Sequence, residues 1–142
     1  MATAMASAFN PDKVWQPFGA FSMGIAQGAG QILHLKGQVP LDRDGEVVGA
    51  WDMRAQVRKT LENIEAVLAH VGARMGDVIS LTHYTTDIDA FMAAADIRLE
   101  FFAAPYPVTT TLEVVRLYDP RILIEITALA EVPRERYRPP PS

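Results

Sequence analysis

The chain has 142 residues, one domain's worth, with 49% apolar residues, 21% charged residues and a formal net charge of −4. That charge argues against nucleic acid or an anionic membrane as the main partner, and no apolar run approaches the ~18 residues needed to span a bilayer. There is no cysteine, which excludes a thiol nucleophile, a disulfide framework and cysteine-based zinc, and a cytoplasmic protein is expected.

Residues 1–13 carry no clear period and are read as a tail. Met1–Asn10 lacks the basic region and continuous apolar stretch of a signal peptide. Ala20–Gln27 and Gln31–Gly37 flank Gly28-Ala29-Gly30 and predict a hairpin. Pro40–Gly45, ending in Asp44-Gly45, predicts a turn. Over residues 52–71 the spacing becomes helical. Val57, Leu61, Ile64, Leu68 and Val71 form one stripe and Gly72 is a natural stop. The β-branched run Val78–Thr86 predicts a strand. Asp87 is a candidate cap for a second helix over about 88–103, with Phe91, Ala94, Ile97 and Phe101 on its inner face. Two strands follow, Val108–Leu117 and Ile122–Val132. The Pro- and Arg-rich segment 133–142 is read as a second tail, leaving a single domain over residues 14–132.

Neighbouring side chains in a strand point to opposite faces. In the last strand Ile122, Ile124, Ile126, Ala128, Ala130 and Val132 share one face, and Leu123, Glu125, Thr127, Leu129 and Glu131 the other. In the strand before it, Val108, Leu112 and Val114 are assigned to the aliphatic face, and Thr109, Thr111 and Glu113 to its opposite. Two helices cover one face, which must be the aliphatic one. The other face, with Lys36, Thr109, Thr111 and Glu125 among aliphatic residues, suits a subunit interface with a wet cleft.

An ordered set of short segments resembles the RidA/YjgF family from Phe18 to Val132. It includes Phe18-Gly19-Ala20-Phe21-Ser22, Lys36-Gly37-Gln38-Val39-Pro40, Gln56, Leu61-Glu62-Asn63-Ile64, Gly76-Asp77-Val78, Phe91, Phe101-Phe102, Glu113–Leu117 and Ile124-Glu125-Ile126. The resemblance implies an α+β, chorismate-mutase-like fold, a mixed six-stranded sheet with two helices packed on one face. It also implies a homotrimer that binds a small-molecule ligand in clefts between subunits, with no cofactor or metal. Family members of the RidA type hydrolyse enamines and imines to 2-keto acids and ammonia. An arginine holds the substrate carboxylate, and a glutamate-associated water attacks the imine carbon.

The sequence departs from that pattern at the arginine itself, where Pro107-Val108-Thr109 places an uncharged threonine. The family's tyrosine is Phe21, its serine before Gly-Gln is Lys36, its helix asparagine is Ala95 and its cysteine is Thr111. Glu125 remains.

Glu125 is the candidate catalytic group, positioning water or relaying a proton; the alternative is an interface carboxylate paired with Lys36 or an arginine. Lys36 is a candidate replacement cation. Its alternatives are a Schiff-base lysine and a salt bridge to Glu125 or Glu113. Thr109 and Thr111 offer hydroxyls, and Phe21 and Phe91 complete the expected substrate-binding set. Of the three histidines, His70 ends a helix, His83 shares the parity of Leu81 and faces the helices, and His34 shares the parity of Lys36. None has metal-ligand spacing. Three functional readings remain. The first is a Rid-family hydrolase resembling an enamine/imine deaminase with altered specificity. The second is a non-catalytic ligand-binding or regulatory paralogue, and the third a deaminase or hydrolase of a pathway-specific metabolite.

Overall fold

The computed structural model describes residues 5–141. Its strands are β1 (Ser7–Phe9), β2 (Gly24–Ala26), β3 (Gln31–His34), β4 (Val78–Thr85), β5 (Val108–Glu113) and β6 (Ile124–Val132). The helices are α1 (Met53–His70), α2 (Ile88–Met92) and α3 (Ala95–Phe101), with a 3-10 turn at Met75–Asp77. The fold is α+β with a mixed sheet, as expected. The six strands are divided, however: β3-β6-β4-β5 form one four-stranded sheet, and β1 and β2 form a separate two-stranded ribbon.

The hairpin expected across Gly28-Ala29-Gly30 does not form. β2 pairs with β1, and β3 pairs antiparallel with β6. The reason is a contact distant in the chain. The Glu131 carboxylate accepts the amides of Gly28 at 2.7 Å and Gly30 at 2.8 Å, so this bend is held by β6 rather than by its own flanking strands. β1 also shows that Ser7–Phe9, part of the expected tail, is paired. The Phe9 ring lies over Gly24, where a Cβ would collide with it.

α1 forms where its apolar stripe predicts. Asp52 caps it by accepting from the Ala55 amide at 3.2 Å, and Val57, Leu61, Ile64 and Leu68 are fully buried. The expected second helix is two short ones, broken at Ala93-Ala94. On their outer sides Arg54 and Arg58 of α1 hold Asp96 and Glu100 of α3 bidentately.

α1 also places the loops through two amides on its buried side. Gln56 Nε2 donates to the carbonyls of Gly49 (2.9 Å) and Arg121 (2.7 Å), while its Oε1 accepts from Leu123 N (2.7 Å). Asn63 Nδ2 donates to the carbonyls of Val39 and Leu41. Gln56 therefore fixes the entry of β6, two residues before Glu125.

Segment 133–138 packs onto the domain. The Arg136 guanidinium grips the Asp77 carboxylate at 2.7 and 2.8 Å, and the Arg138 amide donates to the Val71 carbonyl. This segment crosses Gly72, which has φ +82° and no room for a Cβ beneath the Arg136 carbonyl.

Register assigns the faces. Leu81, His83 and Thr85 of β4 lie opposite Ala128, Ile126 and Ile124 of β6, and all are buried under the helices. Across the parallel β4–β5 pair, Thr109 and Thr111 lie beside Leu81 and His83, while Val108 and Leu112 lie beside Ser80 and Tyr84. Thr109 and Thr111 thus face the helices, and Glu125, opposite Tyr84, faces away. This reverses the parity expected for β5. An edge strand is covered unevenly, so its inner face here borders a cavity and tolerates threonine.

Replacing Gln56 by leucine leaves the buried Leu123 amide unpaired and removes one of the two donors from each of the Gly49 and Arg121 carbonyls, which keep the Asp52 and Trp51 amides. Urea denaturation is expected to show a loss of about 3 kcal/mol, with an unchanged slope.

Candidate functional site

Beside the β5 edge lies a cavity of about 750 Å³ between β5, the α2–α3 segment and the chain before β2. Its walls include Trp15, Phe18, Phe21, Met92, Ala95, Arg98, Leu99, Tyr106, Thr109 and Thr111. Phe21 is brought there by the segment's anchorage on the chain just before β5: Ser22 N and Oγ donate to the carbonyls of Pro107 and Tyr106. Phe21, Thr109 and Thr111 therefore line one cavity.

Phe91 does not reach the cavity wall. It is fully buried beneath it, a floor rather than a ligand contact. Its ring centroid lies 4.8 Å from that of His83 and 5.0 Å from the Arg98 guanidinium carbon.

His83 is fully buried, and its Nδ1 lies 2.9 Å from Thr111 Oγ1. Its Nε2 has no hydrogen-bond partner among the described residues. Burial, with a smaller contribution from the Arg98 charge, pushes its pKa down from 6.5 to about 3. The ring is thus neutral across the physiological range and orients the Thr111 hydroxyl as a fixed dipole.

Arg98 is the residue that sequence reasoning missed. It lines the cavity, its Nε is buried without a partner, and no acid pairs with it among the described residues. A signal existed. Arg98 follows Phe91 by seven residues and Ala94 by four, which puts it on the border of the helices' inner face.

Glu125 and Lys36 lie elsewhere. Glu125 is half-buried on the face away from the helices, with no ion-pair partner among the described residues. The backbone of Gly37 lies against it. A Cβ there would collide with Glu125 Oε2, so glycine leaves room for the carboxylate. Lys36 is exposed along a groove with Lys59 and Asn63 of α1. The expected grouping of Lys36, Thr109, Thr111 and Glu125 on one face is corrected accordingly. The threonines stand on the helix side of the sheet, and the glutamate stands on the other. His34 is exposed on β3.

Among the described residues, no group of three His, Asp or Glu side chains could hold a metal ion, and no helix is long and apolar enough to cross a membrane.

The chain matches the family model described as endoribonuclease L-PSP over residues 12–132. It is 38% identical to a RutC family protein of Pyrococcus horikoshii over 116 residues, covering 81% of this chain and 89% of that one. It is 30% identical to the 2-iminobutanoate/2-iminopropanoate deaminase of Dermatophagoides farinae, covering 82% and 90%. Among solved structures, the Rid family protein YyfB of Yersinia pestis superposes with a TM-score of 0.81 at 31% identity, covering 91% and 100%.

His83 makes stability depend on pH. Its folded pKa is depressed, so the unfolded state binds the extra proton between pH 6.5 and about 3. Stability is full above 6.5 and falls by about 1.4 kcal/mol for each pH unit below it until the folded value is reached. Denaturation series at stepped pH are expected to show a shallower acid slope for His83→Gln than for the wild type.

Proposed function

The chain belongs to the RidA/YjgF family, and on that footing we propose that it is a Rid-type deaminase hydrolysing enamine- or imine-derived substrates in a cleft completed by a neighbouring copy. The observation that carries this reading is the position of Glu125: a half-buried carboxylate without an ion-pair partner among the described residues, on an open sheet face, with space beside it kept by Gly37.

The cavity and Glu125 lie on opposite sides of one sheet, so they do not meet within a single chain. In a ring of copies the open face of one chain meets the β5 edge of the next, as a heterologous interface allows. A homotrimer is the assembly this reading takes.

The chemistry is short. Water adds to the carbon of the protonated C=N group while Glu125 takes a proton from the water, giving a neutral carbinolamine. Glu125 returns that proton to nitrogen, the C–N bond breaks to release ammonia, and the hydroxyl proton passes to Glu125 as the carbonyl forms and then to the departing ammonia. Thr109 and Thr111 supply hydroxyls to polar atoms of the substrate, and the apolar walls exclude bulk water. No step needs a metal or cofactor. The net charge of −4 gives no support to a ribonuclease reading of the family's description.

A purified sample is expected to accelerate ammonia and keto-acid release from imino acids freshly generated by an amino-acid oxidase. Glu125→Gln should lower the rate by about 10²-fold or more. A rate equal to that of buffer for the wild type would overturn the reading.

Gly37→Ala should fold with a nearly unchanged melting temperature, because the atom it meets is the mobile end of Glu125. Its catalysis should fall as the carboxylate is displaced. Unchanged turnover by Gly37→Ala would detach Glu125 from the reaction.

A further inference from the structure

The cavity has two chemically different ends. At its floor stands Arg98, half-buried, its guanidinium stacked on Phe91 and its Nε unpartnered. Elsewhere in the chain Arg54, Arg58, Arg121 and Arg136 are each held bidentately by an acid. Among the described residues Arg98 has no acid, and burial lowers its pKa. A desolvated cation without a counter-charge is costly, and a ligand anion relieves that cost with charge-assisted, directional hydrogen bonds.

At the mouth stand three aromatic rings. Trp15 and Phe18 have centroids 5.6 Å apart, and Phe18 and Phe21 are 5.3 Å apart, edge to face. Trp15 is 60% and Phe18 80% exposed although both are large and apolar. A cluster of exposed rings at the rim of a cavity, with Leu99 and Met92 on its wall, fits a flat apolar body.

We infer that Arg98 is the anion-binding residue of this cavity, and that its ligand is a small carboxylate carrying an aromatic side chain, the ring lying against Trp15, Phe18 and Phe21. The positive charge absent at Thr109 is thereby supplied from α3. The inference rests on the Rid-type reading only for the identity of the reacting group; the binding geometry stands without it.

Calorimetric titration of the full chain with phenylpyruvate, pyruvate and 2-phenylethanol tests it. Phenylpyruvate is expected to bind about ten-fold or more tightly than pyruvate, because a ring is desolvated. It should exceed 2-phenylethanol by a similar factor, because the carboxylate meets a guanidinium. Arg98→Gln should weaken phenylpyruvate by roughly 10- to 100-fold, and Arg98→Lys should restore part of that. Trp15→Ala combined with Phe18→Ala should erase the advantage of phenylpyruvate over pyruvate while leaving pyruvate unchanged. Thermal melts of each variant establish that it is folded, and Arg98→Lys serves if Arg98→Gln is not.

Equal affinities for phenylpyruvate and pyruvate in the wild type would overturn the inference. So would undiminished phenylpyruvate binding by Arg98→Gln. Dissociation of an oligomer by Arg98→Gln with affinity unchanged would do the same, making Arg98 an interface cation. Tight, Arg98-dependent phenylpyruvate binding without imine turnover would uphold the inference and defeat the deaminase reading alone. Turnover of alanine-derived and phenylalanine-derived imines at equal rates, with equal keto-acid affinities, would defeat the inference alone.

Discussion

Everything in this molecule is referred to the strict alternation of β6. From Ile124 to Val132 every second side chain is buried under the helices, and each of those residues is apolar. A slip of one residue would carry Glu125 and Thr127 into the core and expose five aliphatic side chains, so the register has no near competitor. Gln56 adds a second restraint by pairing the chain just before the strand on both its donor and acceptor sides. Hydrophobic burial and a satisfied amide together aim Glu125 outward.

That aim has a functional consequence. The same sheet whose inner face is closed by α1, α2 and α3 carries its carboxylate on the outer face, while the cavity opens at the β5 edge on the helix side. Folding alone separates the two parts. In the proposed assembly the open face is both the contact between copies and the source of the proton-handling group. One patch then explains an otherwise unusual mixture of aliphatic and polar side chains. In the proposed reading the cation is displaced in a comparable way. Thr109 leaves the strand uncharged, and a helix one layer above provides a guanidinium over Phe91.

Much of this was legible in the sequence, for reasons that differ by element. α1 and β6 carry long, regular apolar periods, and their inner faces follow directly from them. β4 placed His83 among buried residues through its parity with Leu81. The parity of β5 was misread because hydrophobicity sorts faces only where both are fully covered. At this edge Val108 and Leu112 lie outward, and Thr111 lies inward to meet His83. The Gly28–Gly30 bend was misread because its partner, Glu131, is about a hundred residues away in the chain. No local pattern shows such a contact. Arg98 was missed because an arginine on an amphipathic helix ordinarily faces solvent, and only the seven-residue step from Phe91 set it apart. Lys36 drew attention as a substituted position, but its side chain lies along α1 rather than with the threonines.

The account stands on the cavity of one copy meeting Glu125 of another, and subunit complementation tests this most directly. Glu125→Gln keeps the cavity and loses the carboxylate. Ala95→Trp fills the cavity and keeps the carboxylate. Each homo-oligomer is predicted to be inactive on imine substrates. After the two are denatured together and reassembled in equal amounts, roughly a quarter of the sites pair an intact cavity with an intact Glu125, as random ring assembly requires. Recovery of activity to about that level is the predicted result. Mixed oligomers no more active than their parents, while the wild type treated in the same way regains activity, would contradict the account.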